Sequence, residues 1–316
     1  MSLIASPHIL FGDRVEHRLQ QVIGARQGAV AAAGGQTLRS GGKRLRPLLV
    51  SMCATETARD GDDLVRAGCA VELVHMATLV HDDVLDAAPL RRGHPTIWQT
   101  HGRPLATSTG DALFSLAFEE LTATGDIGAV SVLATACLSL ARGELLQRRQ
   151  AGDPAVTEEQ YLERCALKTG SLFSAAARLG ARLSGLAEAN AASLGRFAES
   201  LGLAFQVADD VLDCDGDPDT TGKPLGTDLL DGTVTLPLLL AAQRDAQVRA
   251  VIMRGARPAD VLPTLTRVVA SGAVADARER ALEFAGRAAA ELDGVSEAVD
   301  SDALRDAVRI ASDRSS

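Results

Sequence analysis

The pentapeptide Asp-Asp-Val-Leu-Asp occurs twice, as Asp82 to Asp86 and as Asp209 to Asp213. On a helix, residues four apart stack on one face, so Asp82 and Asp86 converge, as do Asp209 and Asp213. Each copy closes a long apolar segment. Like charges at that spacing destabilise a helix, and at its C-terminal end the macrodipole disfavours anions as well. A bound cation offsets both penalties. Carboxylate oxygens select hard ions, and Mg²⁺ is the usual one because it keeps waters and bridges to phosphate. A solvated helix end would account for a single acidic cluster; an identical pair, each behind an apolar helix, fits a metal site better. An EF-hand beginning at Asp213 fails, because its sixth and twelfth positions, which need Gly and Glu, are Pro218 and Pro224.

Two carboxylate clusters with Mg²⁺ between them make a cage for a polyanion, and basic residues complete it. Arg91 and Arg92 follow the first cluster, Lys223 follows the second, and Gly41-Gly42-Lys43-Arg44-Leu45-Arg46-Pro47 forms the first basic loop. Arginine forks and lysine point charges are the side chains that hold phosphates. Each basic element alone reads as a solvated face. Together, in a chain of net charge −9, they point to two separate anion sites.

The elements that position these residues are helical. Leu64, Ala67, Val71, Val74, Thr78 and Leu85 recur at three- and four-residue steps from Asp62 to Asp86. Thr157-Glu158-Glu159-Gln160 has capping-box spacing and opens a helix running to about Leu179. Further helices are expected at roughly 14–33, 47–58, 109–124, 127–150, 188–213, 235–245, 259–271, 275–292 and 301–313. Loops are expected at Gly34-Gly35, Gly41-Gly42, Pro89 to Gly93 and Gly216 to Gly232. No alternating run supports a strand and no stretch reads as an interdomain linker, so residues 1–316 read as one all-α domain. Only 3% of residues are aromatic while 46% are hydrophobic, which suits closely packed helices rich in Ala, Leu and Val.

Composition also excludes some functions. The acidic balance argues against nucleic-acid binding. Five cysteines, at 53, 69, 137, 165 and 214, are scattered singly and read as reduced core thiols of a cytoplasmic protein. The N-terminus lacks the pattern of a signal peptide. Ile127 to Ala141 is too short and too rich in Ser and Thr for a transmembrane segment.

At this point the chain resembles the trans-isoprenyl diphosphate synthases (polyprenyl synthetases). The resemblance rests on GGKRLRP, ELVHMATLVHDDVLDAAPLRRG, Gly110-Asp111, LKTGSLF from Leu167, FQVADDVLD and GKPLGTDLLDGTVTLP, in that order. It implies a helical bundle of the isoprenoid synthase type around a deep central apolar cavity. The two aspartate motifs would face each other across its mouth and hold three Mg²⁺ ions. Carried over residue by residue, it implies Asp82, Asp86 and Asp209 as metal ligands, with Asp83, Asp210 and Asp213 in or just behind the first shell. Arg91, Lys168 and Lys223 would hold an allylic diphosphate. Lys43, Arg46, His75 and Arg92 would hold isopentenyl diphosphate, although a lone His on an apolar helix is ordinarily a core residue. Gln206 and the Lys168-Thr169 backbone would face the developing carbocation. A homodimer is implied, with a heteromeric partner as the alternative. Many relatives carry Lys in the segment where this chain has Thr233, which removes a lysine role there.

Two rival readings fit less well. A terpene cyclase has a different second metal motif and no need for the GGKRLRP loop, and a regulatory subunit loses aspartate motifs that are intact here. For product length, Ala77 and Thr78, five and four residues before Asp82, are small, and Val74 one turn deeper is modest. They imply a tail path open to roughly 12 Å at ~1.5 Å per residue, and a product of medium or long chain. Phe114 or Phe118 closing that path would instead give a geranylgeranyl product.

Overall fold

The computed structural model describes residues 6–216, 224–295 and 299–313. It is all-α: α1 (Ser6–Gly24), α2 (Ala29–Arg39), α3 (Leu45–Met52), α4 (Asp62–Leu85), α5 (Ile97–Thr122), α6 (Ile127–Gln150), α7 (Glu158–Cys165), α8 (Ser171–Leu183), α9 (Glu188–Asp215), α10 (Thr227–Leu230), α11 (Leu236–Arg244), α12 (Ala246–Arg254), α13 (Val261–Ala270), α14 (Ala273–Glu291) and α15 (Ser301–Asp313). The predicted helix at 14–33 is two helices. Phe11, Val15, Leu19 and Ile23 place a buried stripe along α1 at four-residue spacing, and Gly28, at φ 87°, turns the chain into α2. Gly34 and Gly35, expected in a loop, lie inside α2. A Cβ on Gly34 would sit 3.4 Å from Ile23 and 3.7 Å from Leu113, so the missing side chain lets α2 lie close to α1 and α5. The helix α12 was not expected. Asp245 caps it by accepting from the backbone N–H groups of Gln247 and Val248.

One hairpin interrupts the helices. Leu90–Arg91 (β1) pairs antiparallel with His94–Pro95 (β2). Arg92 and Gly93, at φ 52° and 77°, make the two-residue turn with both central residues left-handed that hairpins favour. Two-residue strands are too short to leave an alternating signal in the sequence.

The described residues form two compact units. One is drawn from Met1–Cys137, Leu172–Gly195 and Gly294–Asp306, the other from Leu138–Ser171, Arg196–Asp293 and Ala307–Ser316. In the first, α4 lies along α5 and is flanked by α1 and α3. Fifteen of its 24 residues are buried, so α4 is a core helix. The second unit is built on α11, which packs against α7, α12, α13 and α14. By length and composition α4 and α6 are both apolar enough to cross a membrane. The expectation from Ile127 to Ala141 counted only part of α6, which runs on to Gln150. The helix α6 leaves Ile127, Leu138 and Leu145 86, 64 and 62% exposed, whereas on α4 only the last residue, Leu85, is an exposed large apolar side chain.

Candidate active site

The first aspartate motif ends α4 in a tight cap. Ala87 is left-handed at φ 50°, and the Ala88 N–H donates to the Asp83 carbonyl at 3.0 Å, the six-to-one bond of a Schellman cap. That cap fixes where each carboxylate points. Asp83 is turned inward, 6% exposed, and accepts from Arg91 Nε at 2.7 Å. Burial pushes its carboxyl above the usual range, and the Arg91 guanidinium opposes this. Asp82 is half-buried and Asp86 exposed, on one face of the helix. Just before them, His81 fits where Gly110 has no side chain: a Cβ there would lie 2.2 Å from His81 Nε2. Gly110-Asp111 thus lets α5 approach the metal motif.

The basic residues of this unit come together. Arg44, left-handed at φ 50°, donates to Glu16 at 2.9 Å and to the buried Glu72 at 2.7 Å. It pins the glycine loop to α1 and α4. Arg92 donates to the Gly41 carbonyl, and a Cβ on Gly42 would meet the Arg92 guanidinium at 2.9 Å. Arg46 lies over the Phe173 ring at 5.0 Å, and Lys43 is exposed on the same loop. His75 is their common neighbour. Desolvation first, then Arg46, Arg92, Arg91 and Arg44, push its imidazole well below the usual value. Arg92 is also lowered, by desolvation and then by Arg91. Among the described residues, the non-glycine positions at positive φ are Arg44, Ala87 and Arg92, all within this cluster. Such strain costs of order 1–3 kcal/mol per residue and collects at functional sites.

The second motif repeats the pattern with different donors. Asp210 is turned inward, 4% exposed. It accepts from Tyr161 Oη at 2.6 Å and from Gln206 Nε2 at 2.9 Å. Burial pushes its carboxyl upward, and these two bonds together with Arg164 oppose that shift. Asp209 is exposed. Asp213 accepts the backbone N–H groups of Thr227 and Asp228 at 3.0 and 3.2 Å, holding the start of α10. Thr169 donates to Gln206 at 2.7 Å. Lys168 donates to Glu144 at 2.5 Å, and a Cβ on Gly143 would lie 2.7 Å from the Lys168 side chain. The single helix expected from Thr157 has its capping box but is broken: Ala166–Gly170 form a π-turn between α7 and α8. That wider turn carries Lys168 and Thr169, as π-turns at functional sites do.

Among the described residues no group of three or more His, Cys, Asp or Glu is placed to hold a metal. The carboxylates of each motif offer an oxygen-only donor set. That donor set fits Mg²⁺, which completes its octahedron with water and phosphate oxygens. Lys223 lies outside the described residues.

A sequence profile described as Polyprenyl synthetase matches residues 28–266. The chain belongs to the polyprenyl synthetase family. It is a prenyltransferase with the all-α isoprenoid synthase fold. It is similar to heptaprenyl diphosphate synthase component 2 of Geobacillus stearothermophilus, 37% identical over 86% of this chain and 85% of that one. Octaprenyl diphosphate synthase of Escherichia coli is 34% identical over 82% of each. A polyprenyl synthase structure from Caulobacter crescentus, complexed with calcium and isoprenyl diphosphate, superposes with TM-score 0.88 at 33% identity, covering 98% of both chains. Members of this family act on isoprenyl diphosphates and depend in general on Mg²⁺.

The three residues expected to line the tail's path separate around the prenyltransferase's α4. At ~100° per residue, Thr78 lies about 40° from Asp82 around the axis, Val74 about 80° and Ala77 about 140°. Val74 and Ala77 have no accessible surface, whereas Thr78 shares a half-exposed face with His75, Leu79 and Asp82. Phe118 is half-buried on α5, one turn beyond Phe114, whose ring lies 5.8 Å from His81. Sequence reasoning missed Arg44, Tyr161, Arg164 and Glu144. Arg44 was within sight, inside a basic loop whose Lys43 and Arg46 were assigned; nothing local marked the others.

The His75 environment has a consequence for stability. Its folded pKa is depressed, so the folded chain keeps it neutral where the unfolded chain, titrating near ~6.5, takes a proton. Stability from this site is present above that pH and lost as pH falls below it. Urea midpoints measured between pH 7 and 5 should fall more steeply for wild type than for His75→Gln. Parallel curves would show that burial and the arginine cluster together do not depress the His75 imidazole.

Proposed function

We propose that the chain condenses isopentenyl diphosphate with an allylic diphosphate in a Mg²⁺-dependent reaction, giving an all-trans polyprenyl diphosphate of medium or long chain. The observation that carries the reading is the division of labour within both motifs. The second aspartate of each is buried and tied to the protein, by Arg91 or by Tyr161 and Gln206, while the first remains accessible. Asp82, Asp86 and Asp209 would hold the ions, three with substrate bound, and Asp83, Asp210 and Asp213 would support them from behind.

Bound Mg²⁺ supplies neutralisation of the diphosphate leaving group. The chain's own residues do the rest. Arg91, Lys168 and Lys223 bind the allylic diphosphate, and Lys168 exchanges its Glu144 partner for it. Lys43, Arg46, Arg92 and the neutral His75 bind isopentenyl diphosphate, and His75 serves there as a hydrogen-bond donor beside four arginines. Thr169 and Gln206 form oriented dipoles that stabilise the allylic cation left when the C–O bond ionises. The double bond of isopentenyl diphosphate attacks that cation, and the proton then lost goes to released pyrophosphate. No side-chain base is required.

Length and assembly belong to the same reading. The tail runs from Asp82 along the face of Thr78 and His75 on α4; closure by Phe114 or Phe118 would give a geranylgeranyl product instead. The exposed apolar residues of α6 support a homodimer. A heteromeric partner, as the word component in the Geobacillus relative's name suggests for that protein, is the alternative. Buried thiols at Cys53, Cys69, Cys165 and Cys214 support a reducing, cytoplasmic setting.

Purified alone with isopentenyl diphosphate, farnesyl diphosphate and Mg²⁺, the chain should turn over, and EDTA should abolish turnover. Asp82→Ala and Asp209→Ala should each cost about a hundredfold or more. Near-wild-type rates in either variant would remove that motif from the metal site, and activity only with an added subunit would establish the heteromeric form. Chromatography of the products gives the chain length. Thr78→Phe should shorten the wild-type product by filling the path, since packed interiors do not absorb such a ring. An unchanged product would place the floor on another element.

A further inference from the structure

Tyr161 is the only tyrosine in the chain, and it has no accessible surface. It lies in the first turn of α7, which the reciprocal capping box of Thr157 and Gln160 fixes immediately before it. Its hydroxyl donates to Asp210 at 2.6 Å. Arg164 stands over its ring at 5.3 Å. That guanidinium is itself anchored, donating to Gln150 Oε1 and to the Val234 carbonyl at 2.7 Å each. The phenol is therefore held from both sides and cannot swing away from Asp210 without breaking a buried network.

The other end of that network runs to Gln206 and Thr169, the residues proposed above to face the allylic cation. Gln206 donates to the second oxygen of Asp210 and accepts from Thr169 on the π-turn. Both Asp210 oxygens are thus engaged by neutral donors that come from within the protein. Asp209 is the next residue back along α9, about 100° around the helix, and it is exposed. Fixing Asp210 in the interior fixes the rotation of this helical turn, and with it the direction in which Asp209 points.

We propose that Tyr161 is a positioning residue for the second aspartate motif, holding Asp210 as a buried strut so that Asp209 is presented to the Mg²⁺–diphosphate complex. This rests on the reading of that motif as a metal site. A tyrosine that merely stabilised the fold would raise the melting temperature and leave the response to Mg²⁺ unchanged. A positioning tyrosine sets that response.

Because the tyrosine is single, protein grown on 3-fluorotyrosine gives one ¹⁹F resonance, which reports on this site alone. Mg²⁺ with inorganic pyrophosphate serves as the probe, and the rise in melting temperature it causes reports binding independently. The resonance should move on addition of the pair, and the movement should vanish in Asp210→Asn. Tyr161→Phe, which keeps the ring and removes the hydroxyl, should raise the Mg²⁺ concentration for half-maximal turnover about tenfold, the loss expected for one hydrogen bond to a charged group. It should also shrink the melting-temperature rise, and it should add nothing in the Asp210→Asn background. A stationary resonance while the melting temperature rises would overturn the proposal and leave the metal reading intact. So would a Tyr161→Phe effect of equal size in both backgrounds. If neither signal responds to Mg²⁺ and pyrophosphate, the metal reading fails and the proposal fails with it. The fluorine measurement needs no substitution at Tyr161, so poor folding of Tyr161→Phe would not block the test.

Discussion

A carboxylate can be taken out of water only if donors replace the water it leaves. Both aspartate motifs obey this constraint, and the rest of the site is arranged around it. In the first, Asp83 is satisfied by a cation eight residues later, Arg91 on the first strand of the hairpin. In the second, Asp210 is satisfied by two neutral side chains. Once the inner aspartate is fixed, helical geometry turns its neighbour outward. In both copies the second aspartate is thus buried and held by unrelated partners, although Asp86 caps its helix while Asp213 lies within α9.

The cationic side follows from the same electrostatics. A chain of net charge −9 gathers Arg44, Arg46, Arg91 and Arg92 around one neutral histidine. Glu16 and Glu72 offset Arg44, and Asp83 offsets Arg91, while the left-handed backbone at Arg44, Ala87 and Arg92 adds strain to the same stretch of chain.

Much of this was legible in the amino-acid order, and the exceptions have physical reasons. The four-residue spacing in DDVLD specifies convergence of Asp82 with Asp86 on any helix. The capping box at Thr157 gave the start of α7 to within a residue. The break after α1 was missed because Gly28 adopts a positive φ that composition cannot distinguish from an ordinary helical glycine. Gly34 and Gly35 were misread for the opposite reason: they are needed for close helix packing, which depends on the neighbour and not on the local run. The π-turn leaves the hydrophobic pattern intact while changing the hydrogen-bond register, so periodicity could not show it. Tyr161 and Arg164 carry no local signal, since their partners are 49 and 70 residues away. The tail path was drawn from residue size and helical rise without the helix angle, and the angle that separates Thr78 from Ala77 narrows it.

The central claim is that the outward aspartates bind metal and the inward ones do not. Crystals grown with Mn²⁺ in place of Mg²⁺, together with inorganic pyrophosphate, test it through the anomalous signal of the metal. The account predicts Mn²⁺ bonded to Asp82 and Asp86 and to Asp209, with Asp83 still on Arg91 and Asp210 still on Tyr161. Metal bonded directly to Asp83 or Asp210, or absent from either motif while pyrophosphate is bound, would contradict it.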